Sequence, residues 1–81
     1  MRVHVLYFGI IRERLGRREE TLDVPEGTTV GQITGALSDR HGDLAKGVAS
    51  LRVAVNLEYV DPARILAEGD EVAVIPPVSG G

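Results

Sequence analysis

The reading of the fold begins at Arg2-Val3-His4-Val5-Leu6-Tyr7-Phe8-Gly9. Val, aromatic and β-branched residues at this density favour an extended strand. Arg2 and His4 mark the even positions as solvent-facing, which turns Val3, Val5 and Tyr7 inward. A polar turn from Arg12 to Arg18, containing Gly16, comes next, and Glu19 to Val24 reads as a second strand with Leu22 and Val24 on one face. Strand, turn and strand at this spacing predict an N-terminal hairpin.

Working outward, Pro25-Glu26-Gly27 ends the hairpin and Thr28-Thr29 opens a helix. Thr29 and Gln32 have capping-box spacing. Val30, Ile33 and Leu37, with Ala36 beside them, form a stripe at helical period. Gly31 and Gly35 lower the helix's own propensity, by up to about 1 kcal/mol each relative to Ala. Gly42 stands where a left-handed residue would end the helix. Asp43 to Ser50 is a connector with a short turn that would bury Leu44 and Val48. Leu51 to Asn56 reads as a third strand, with Leu51, Val53 and Val55 inward and Arg52, Ala54 and Asn56 outward. Glu58-Tyr59-Val60 suits a short edge strand, Asp61-Pro62 a turn, and Ile65 and Leu66 inward-facing positions. Gly69-Asp70 signals another turn. Glu71 to Ile75 is the last strand, with Val72 and Val74 inward. The expected order is β-β-α-β-β-β, a mixed α+β sheet with one main helix packed on one face and its first and last strands parallel at the centre. This is the arrangement of the β-grasp, or ubiquitin-like, fold. It implies one domain over residues 1–75 and an extended tail over residues 76–81.

Composition narrows the chemistry. The chain has 81 residues, nine Lys and Arg against twelve Asp and Glu, and no Cys. Disulfides, Cys-based metal clusters and a thiol nucleophile are therefore excluded. His4 and His41 are too far apart in sequence to suggest a zinc site, and no metal is expected. A net charge of −3 argues against a nucleic-acid binder. Arg12, Arg14, Arg17 and Arg18 are interleaved with Glu13, Glu19 and Glu20, which reads as a solvated, self-neutralising loop. No signal-like or membrane-spanning run is present, so a cytoplasmic protein without a membrane partner is expected.

Two features remain once the core is assigned. Leu6, Phe8, Ala73 and Ile75, with Tyr59 a candidate beside them, form an apolar set on the sheet face opposite the helix. Such a contiguous exposed patch suits an interaction site. The competing reading is a one-residue slip in parity, which would send some of them into the core. The second feature is Pro76-Pro77-Val78-Ser79-Gly80-Gly81. The prolines cannot extend the strand ladder and stiffen the exit, while six extended residues reach about 20 Å. Taken alone, Gly80-Gly81 is better read as a frayed end. Beside an apolar patch on a β-grasp body it reads as a thin probe carrying a carboxylate. That carboxylate is ionised at neutral pH and needs activation before acyl transfer. The chain has no phosphate-cradling glycine motif to do so, so it reads more as a substrate or carrier than as a catalyst on its own.

The run from Gly69 to Gly81, with Pro-Pro-Val-Ser-Gly-Gly as its most specific part, resembles the C-terminus of the molybdopterin synthase small-subunit (sulfur-carrier) family. Ala54-Val55-Asn56 with Tyr59-Val60, and the opening Val-Leu-Tyr-Phe-Gly-Ile-Ile-Arg-Glu-Arg-Leu-Gly, resemble that family's middle strand and N-terminal strand and turn. The resemblance implies that Gly81 is adenylated by a ubiquitin-activating-type enzyme using ATP. A sulfurtransferase system then converts it to a thiocarboxylate. The large, catalytic synthase subunit takes in the tail, in a heterotetramer, and sulfur passes to cyclic pyranopterin monophosphate to build the molybdopterin dithiolene. The resemblance also implies apolar contacts with the large subunit at Phe8, Tyr59 and Ile75, and no cofactor bound by the carrier itself. Other readings are a carrier for thiamine thiazole or tRNA thiolation, a ubiquitin-like modifier conjugated through Gly81, and a plain interaction module. The thiazole and tRNA carriers tend to lack the Pro-Pro-Val-Ser segment.

Overall fold

The computed structural model describes residues 1–42 and 52–76. The elements are β1 (Arg2–Tyr7), α1 (Gly9–Leu15), β2 (Glu19–Asp23), α2 (Val30–Arg40), β3 (Arg52–Val55), β4 (Glu58–Tyr59) and β5 (Glu71–Ile75). They form a five-stranded sheet in the order β2-β1-β5-β3-β4. β1 and β5 run parallel at its centre, with Val5 beside Val72 and Tyr7 beside Val74. All other pairings are antiparallel. The expected central parallel pair and mixed sheet are thus present.

The core lies between one sheet face and α2. Val3, Val5, Tyr7, Val72 and Val74 from the sheet meet Val30, Ile33 and Leu37 from the helix, all at most 2% exposed. Leu22, Val24 and Val53 pack against this cluster. The inward parity read for β1, β2 and β5 therefore holds, while Ala36 lies on the exposed side of α2.

α2 starts as its sequence requires. The Thr29 hydroxyl accepts from the Gln32 amide at 3.2 Å, and the Gln32 side chain accepts from the Thr29 amide at 2.9 Å. Two further helix-start amides are met by the loop after β4: Val30 N–H donates to Arg64 O and Gly31 N–H to Pro62 O, both at 2.9 Å. Leaving either unpaired would cost free energy at the helix end. Gly31 belongs there because a Cβ would lie 3.3 Å from both Pro62 Cβ and Pro62 O.

Four expectations need correction. The polar turn after β1 is a seven-residue helix, α1, closed by left-handed Gly16. Ile11 is buried and Leu15, one turn on, packs against the core. Two apolar positions four apart are too few to show a period among Arg and Glu. Second, Gly42 does not end α2 in a left-handed turn; the cap is His41, in extended geometry. Third, Ile65 is exposed and only Leu66 is buried. Ile65 pairs with Thr29 in an isolated antiparallel bridge, and alternation along extended backbone sends neighbours to opposite sides. Fourth, β3 stops at Val55 and Asn56 turns the chain. The connector from Asp43 to Ser50, Leu51, and the tail from Pro77 to Gly81 lie outside the described residues.

The arginine-rich segment also differs from a self-neutralising loop. Arg12 and Arg14 ride on α1, and Glu20 faces the core side of the sheet. There it accepts from Tyr7 Oη at 2.6 Å, from Arg40 Nη1 at 2.7 Å and from His41 Nε2 at 2.9 Å. Arg17 reaches the same carboxylate at 3.5 Å. Burial alone would push Glu20 up. The hydrogen bonds from Tyr7 and His41 and the charges of His41 and Arg17 outweigh it and hold the carboxyl below the usual carboxylate range. Burial, then the bond to Glu20 and its charge, push the Tyr7 phenol up.

Candidate functional site

The outer sheet face carries the apolar set expected from strand parity. Across its middle runs one row of register partners: Leu6 beside Ala73, Ala73 beside Ala54, and Ala54 beside Tyr59. The two alanines make a low floor and the larger side chains make walls. Ile75, opposite Arg52, and Phe8, just beyond β1, stand at the C-terminal end of β5. The result is an open groove of about 400 Å³ lined by Leu6, Phe8, Ala54, Leu57, Tyr59, Glu71, Ala73 and Ile75. All five patch residues read from the sequence, Leu6, Phe8, Tyr59, Ala73 and Ile75, come together in it.

Phe8 is 43% and Tyr59 65% exposed, values far outside the range of a core aromatic. A parity slip would have buried them, so that reading is excluded. Arg52 lies over the Tyr59 ring, 5.8 Å from its centroid, and gives that wall a cationic edge. On the opposite flank Leu6 and Phe8 also line an open concavity of about 690 Å³, shared with Arg12, Arg17, Arg18 and Glu19. The groove is thus apolar along its floor and charged along its rims, the arrangement that lets a protein partner exclude water at the centre.

Two apolar lining residues, Ala54 and Leu57, lie outside the five-residue patch expected from the sequence. The sequence reads Ala54 as outward; its small side chain hollows the groove, and it is only 6% exposed. Leu57 falls in neither of the strands expected here, since the third strand is read through Asn56 and the edge strand from Glu58. The available signal was the two-residue gap between Val55 and Glu58, which pair directly. Asn56 and Leu57 have φ of 49° and 73°, the twist that a two-residue hairpin turn demands. Asn56 earns its position through hydrogen bonds: Nδ2 donates to Asp70 Oδ1 at 3.0 Å and Oδ1 accepts from the Glu71 amide at 3.1 Å.

The groove ends where the tail begins. Pro76 follows Ile75 directly, and its ring sits on Gly9, where a Cβ would lie 2.9 Å from Pro76 Cγ. Gly9 also has φ +57°, so the first residue of α1 meets two conditions that only glycine satisfies at ease. Of the proposed tail residues Pro76, Pro77, Val78, Ser79, Gly80 and Gly81, only Pro76 is among those described. Among the described residues no group of three or more His, Asp or Glu side chains is placed to hold a metal ion. No helix there is long and apolar enough to cross a membrane.

A mixed sheet with a parallel central pair, a helix across one face and an apolar groove on the other defines a ubiquitin-like β-grasp protein. The chain belongs to the ThiS family, which matches residues 5–81. It is 43% identical over 82 residues to the human molybdopterin synthase sulfur carrier subunit, covering 98% of this chain and 93% of that one. Among solved structures it is similar to SAMP1 from Haloferax volcanii, with a TM-score of 0.89, 31% identity and full coverage of both chains. It is likewise similar to the putative molybdopterin converting factor subunit 1 from Pyrococcus furiosus, with a TM-score of 0.86 and 32% identity over 96% of this chain and 99% of that one.

Proposed function

We propose that this chain is the sulfur carrier subunit of a molybdopterin synthase, with Gly81 as the carrier site. The carrying observation is structural: the apolar groove runs along β5 as far as Ile75, the residue before Pro76 and the Gly-Gly tail. A partner seated in the groove is thereby placed to receive the tail. The family match and the similarity to the human molybdopterin synthase sulfur carrier subunit support the same reading.

In this reading the Gly81 carboxylate attacks the α-phosphate of ATP in an adenylating enzyme, releasing pyrophosphate. Hydrosulfide delivered by a sulfurtransferase system then attacks the acyl carbon, forming a C–S bond as the C–O bond to AMP breaks, and leaves the thiocarboxylate. Within the large synthase subunit its sulfur bonds to cyclic pyranopterin monophosphate, and water cleaves the resulting acyl–sulfur bond, leaving sulfur on the pterin and regenerating the Gly81 carboxylate. Activation is required because a carboxylate is a poor electrophile. The carrier's residues supply grip through Leu6, Phe8, Tyr59, Ala73 and Ile75, and reach through Pro76, Pro77, Val78, Ser79 and Gly80.

The test is intact mass after incubation with ATP, the adenylating enzyme and a sulfur source, followed by addition of the large subunit and the pyranopterin. One oxygen replaced by sulfur at Gly81, and molybdopterin formed, are the expected results. Absence of the sulfur-bearing species overturns the reading. Phe8→Asp and Ile75→Asp should each weaken large-subunit binding about tenfold or more while leaving the tail open to activation. A second reading, a protein modifier joined through Gly81, is favoured by one observation: solved relatives of 28% identity carry the name small archaeal modifier protein. Recovery of Gly81 only in isopeptide links would favour it.

A further inference from the structure

Leu57 is not part of the core formed by the described residues. It is 92% exposed and sits at φ 73°, at the second position of a turn that favours Gly or Asn. Asn56, beside it, is tied down by Asp70 and the Glu71 amide, whereas among the described residues Leu57 belongs neither to the core cluster nor to the side chains packed on it. A single exposed Leu is ordinary; one in a left-handed turn, lining an apolar groove with Phe8, Tyr59 and Ile75, is not.

Its place along the groove is defined by register. Val55 lies beside Val72 and the Asn56 amide donates to Glu71 O, so the turn flanks the start of β5. The tail leaves from the other end of that strand, four residues or about 13 Å away. We infer that Leu57 is an anchor of the docking surface, entering an apolar pocket on the large synthase subunit at the end of the groove remote from the tail. This rests on the reading of the groove as that subunit's seat. The large subunit is the occupant because it must draw in the tail at Pro76, and a body lying along β5 from there meets Leu57 at its far edge. Contacts at both ends fix the carrier's direction, which a single contact beside Pro76 would leave free to swivel. Asn56 holds the turn in shape, so Leu57 is presented pre-organised and loses little freedom on binding.

Calorimetric titration of the full chain with the large subunit tests this, alongside thermal melts. Leu57→Asn keeps a residue that tolerates the left-handed backbone and removes the apolar side chain. Its Kd should rise about tenfold, with Tm unchanged or higher, and Leu57→Met should bind within about threefold of the original chain. Unchanged affinity of Leu57→Asn, with Phe8→Asp weakened, overturns the role of Leu57 and leaves the groove reading standing. Unchanged affinity of both variants overturns the groove reading and this inference with it. A Leu57→Asn chain that melts well below the original makes Leu57 a structural residue and also overturns the inference.

Discussion

Glu20 links the stability of this fold to pH. It occupies the core-facing parity of an edge strand, shared with Leu22 and Val24, and its side chain is only 8% exposed. It joins the end of β1, through Tyr7, to the end of α2, through Arg40 and His41. In the folded state its carboxyl is held below the usual carboxylate range. A depressed carboxyl contributes stability that is fully present above the unfolded value and is lost as pH falls through the folded one. Between about pH 6 and about pH 3, the urea midpoint should therefore fall more steeply for the original chain than for Glu20→Gln. At neutral pH Glu20→Ala should cost about 2–3 kcal/mol, because it strands the Tyr7 hydroxyl and the His41 ring without their acceptor. Sequence reading paired Glu20 with neighbouring arginines; that its carboxylate serves α2 depends on how the sheet folds over the helix.

At the scale of elements, α2 is held at its start by two devices of different origin. The capping box is local and was legible, since Thr29 and Gln32 need only each other. Thr29→Ala should lower stability by about 1 kcal/mol in urea melts. The carbonyls of Pro62 and Arg64 come from a loop some thirty residues away, and no local pattern announces them. They explain a glycine that propensity alone makes a defect. Gly35 has nothing within 4 Å of its would-be Cβ, whereas Gly31 meets Pro62 at 3.3 Å. Gly35→Ala should therefore stabilise by up to about 1 kcal/mol, and Gly31→Ala should gain less or lose. Equal gains would mean that the loop yields freely. α1 was missed for a related reason: two turns carry too few apolar positions for a period, and only Ile11 and Leu15 meeting the core makes them a helix.

For the whole molecule, grip and reach separate. The groove is rigid sheet, and the proposed reactive end lies beyond Pro76. Ala73→Leu should fill the groove floor between Leu6 and Ala54, weakening large-subunit binding about tenfold with Tm little changed, because the added atoms face outward. Deleting Gly81 should do the opposite, abolishing sulfur transfer in a turnover assay while leaving affinity near that of the intact chain. Loss of affinity on deleting Gly81 would show that the tail itself supplies much of the binding.

The sequence by itself determined the strand parity, the helix start, the central parallel pair and, through that parity, the five apolar residues of the patch. These follow from periods of two and 3.6 and from side chains that meet near neighbours. The resemblance carried by the Pro-Pro-Val-Ser-Gly-Gly ending implied a sulfur carrier, and in a chain without cysteine that sulfur would ride on the terminal carboxyl group. Only the tertiary structure decided that Ala54 and Ala73 hollow the patch into a groove, that Leu57 overhangs it, that Gly9 seats Pro76, and that Glu20 ties β1 to α2. Each of those depends on which residues from distant parts of the chain come within a few ångströms. That distance is set by the packing of sheet, helix and loops together, and no local period encodes it.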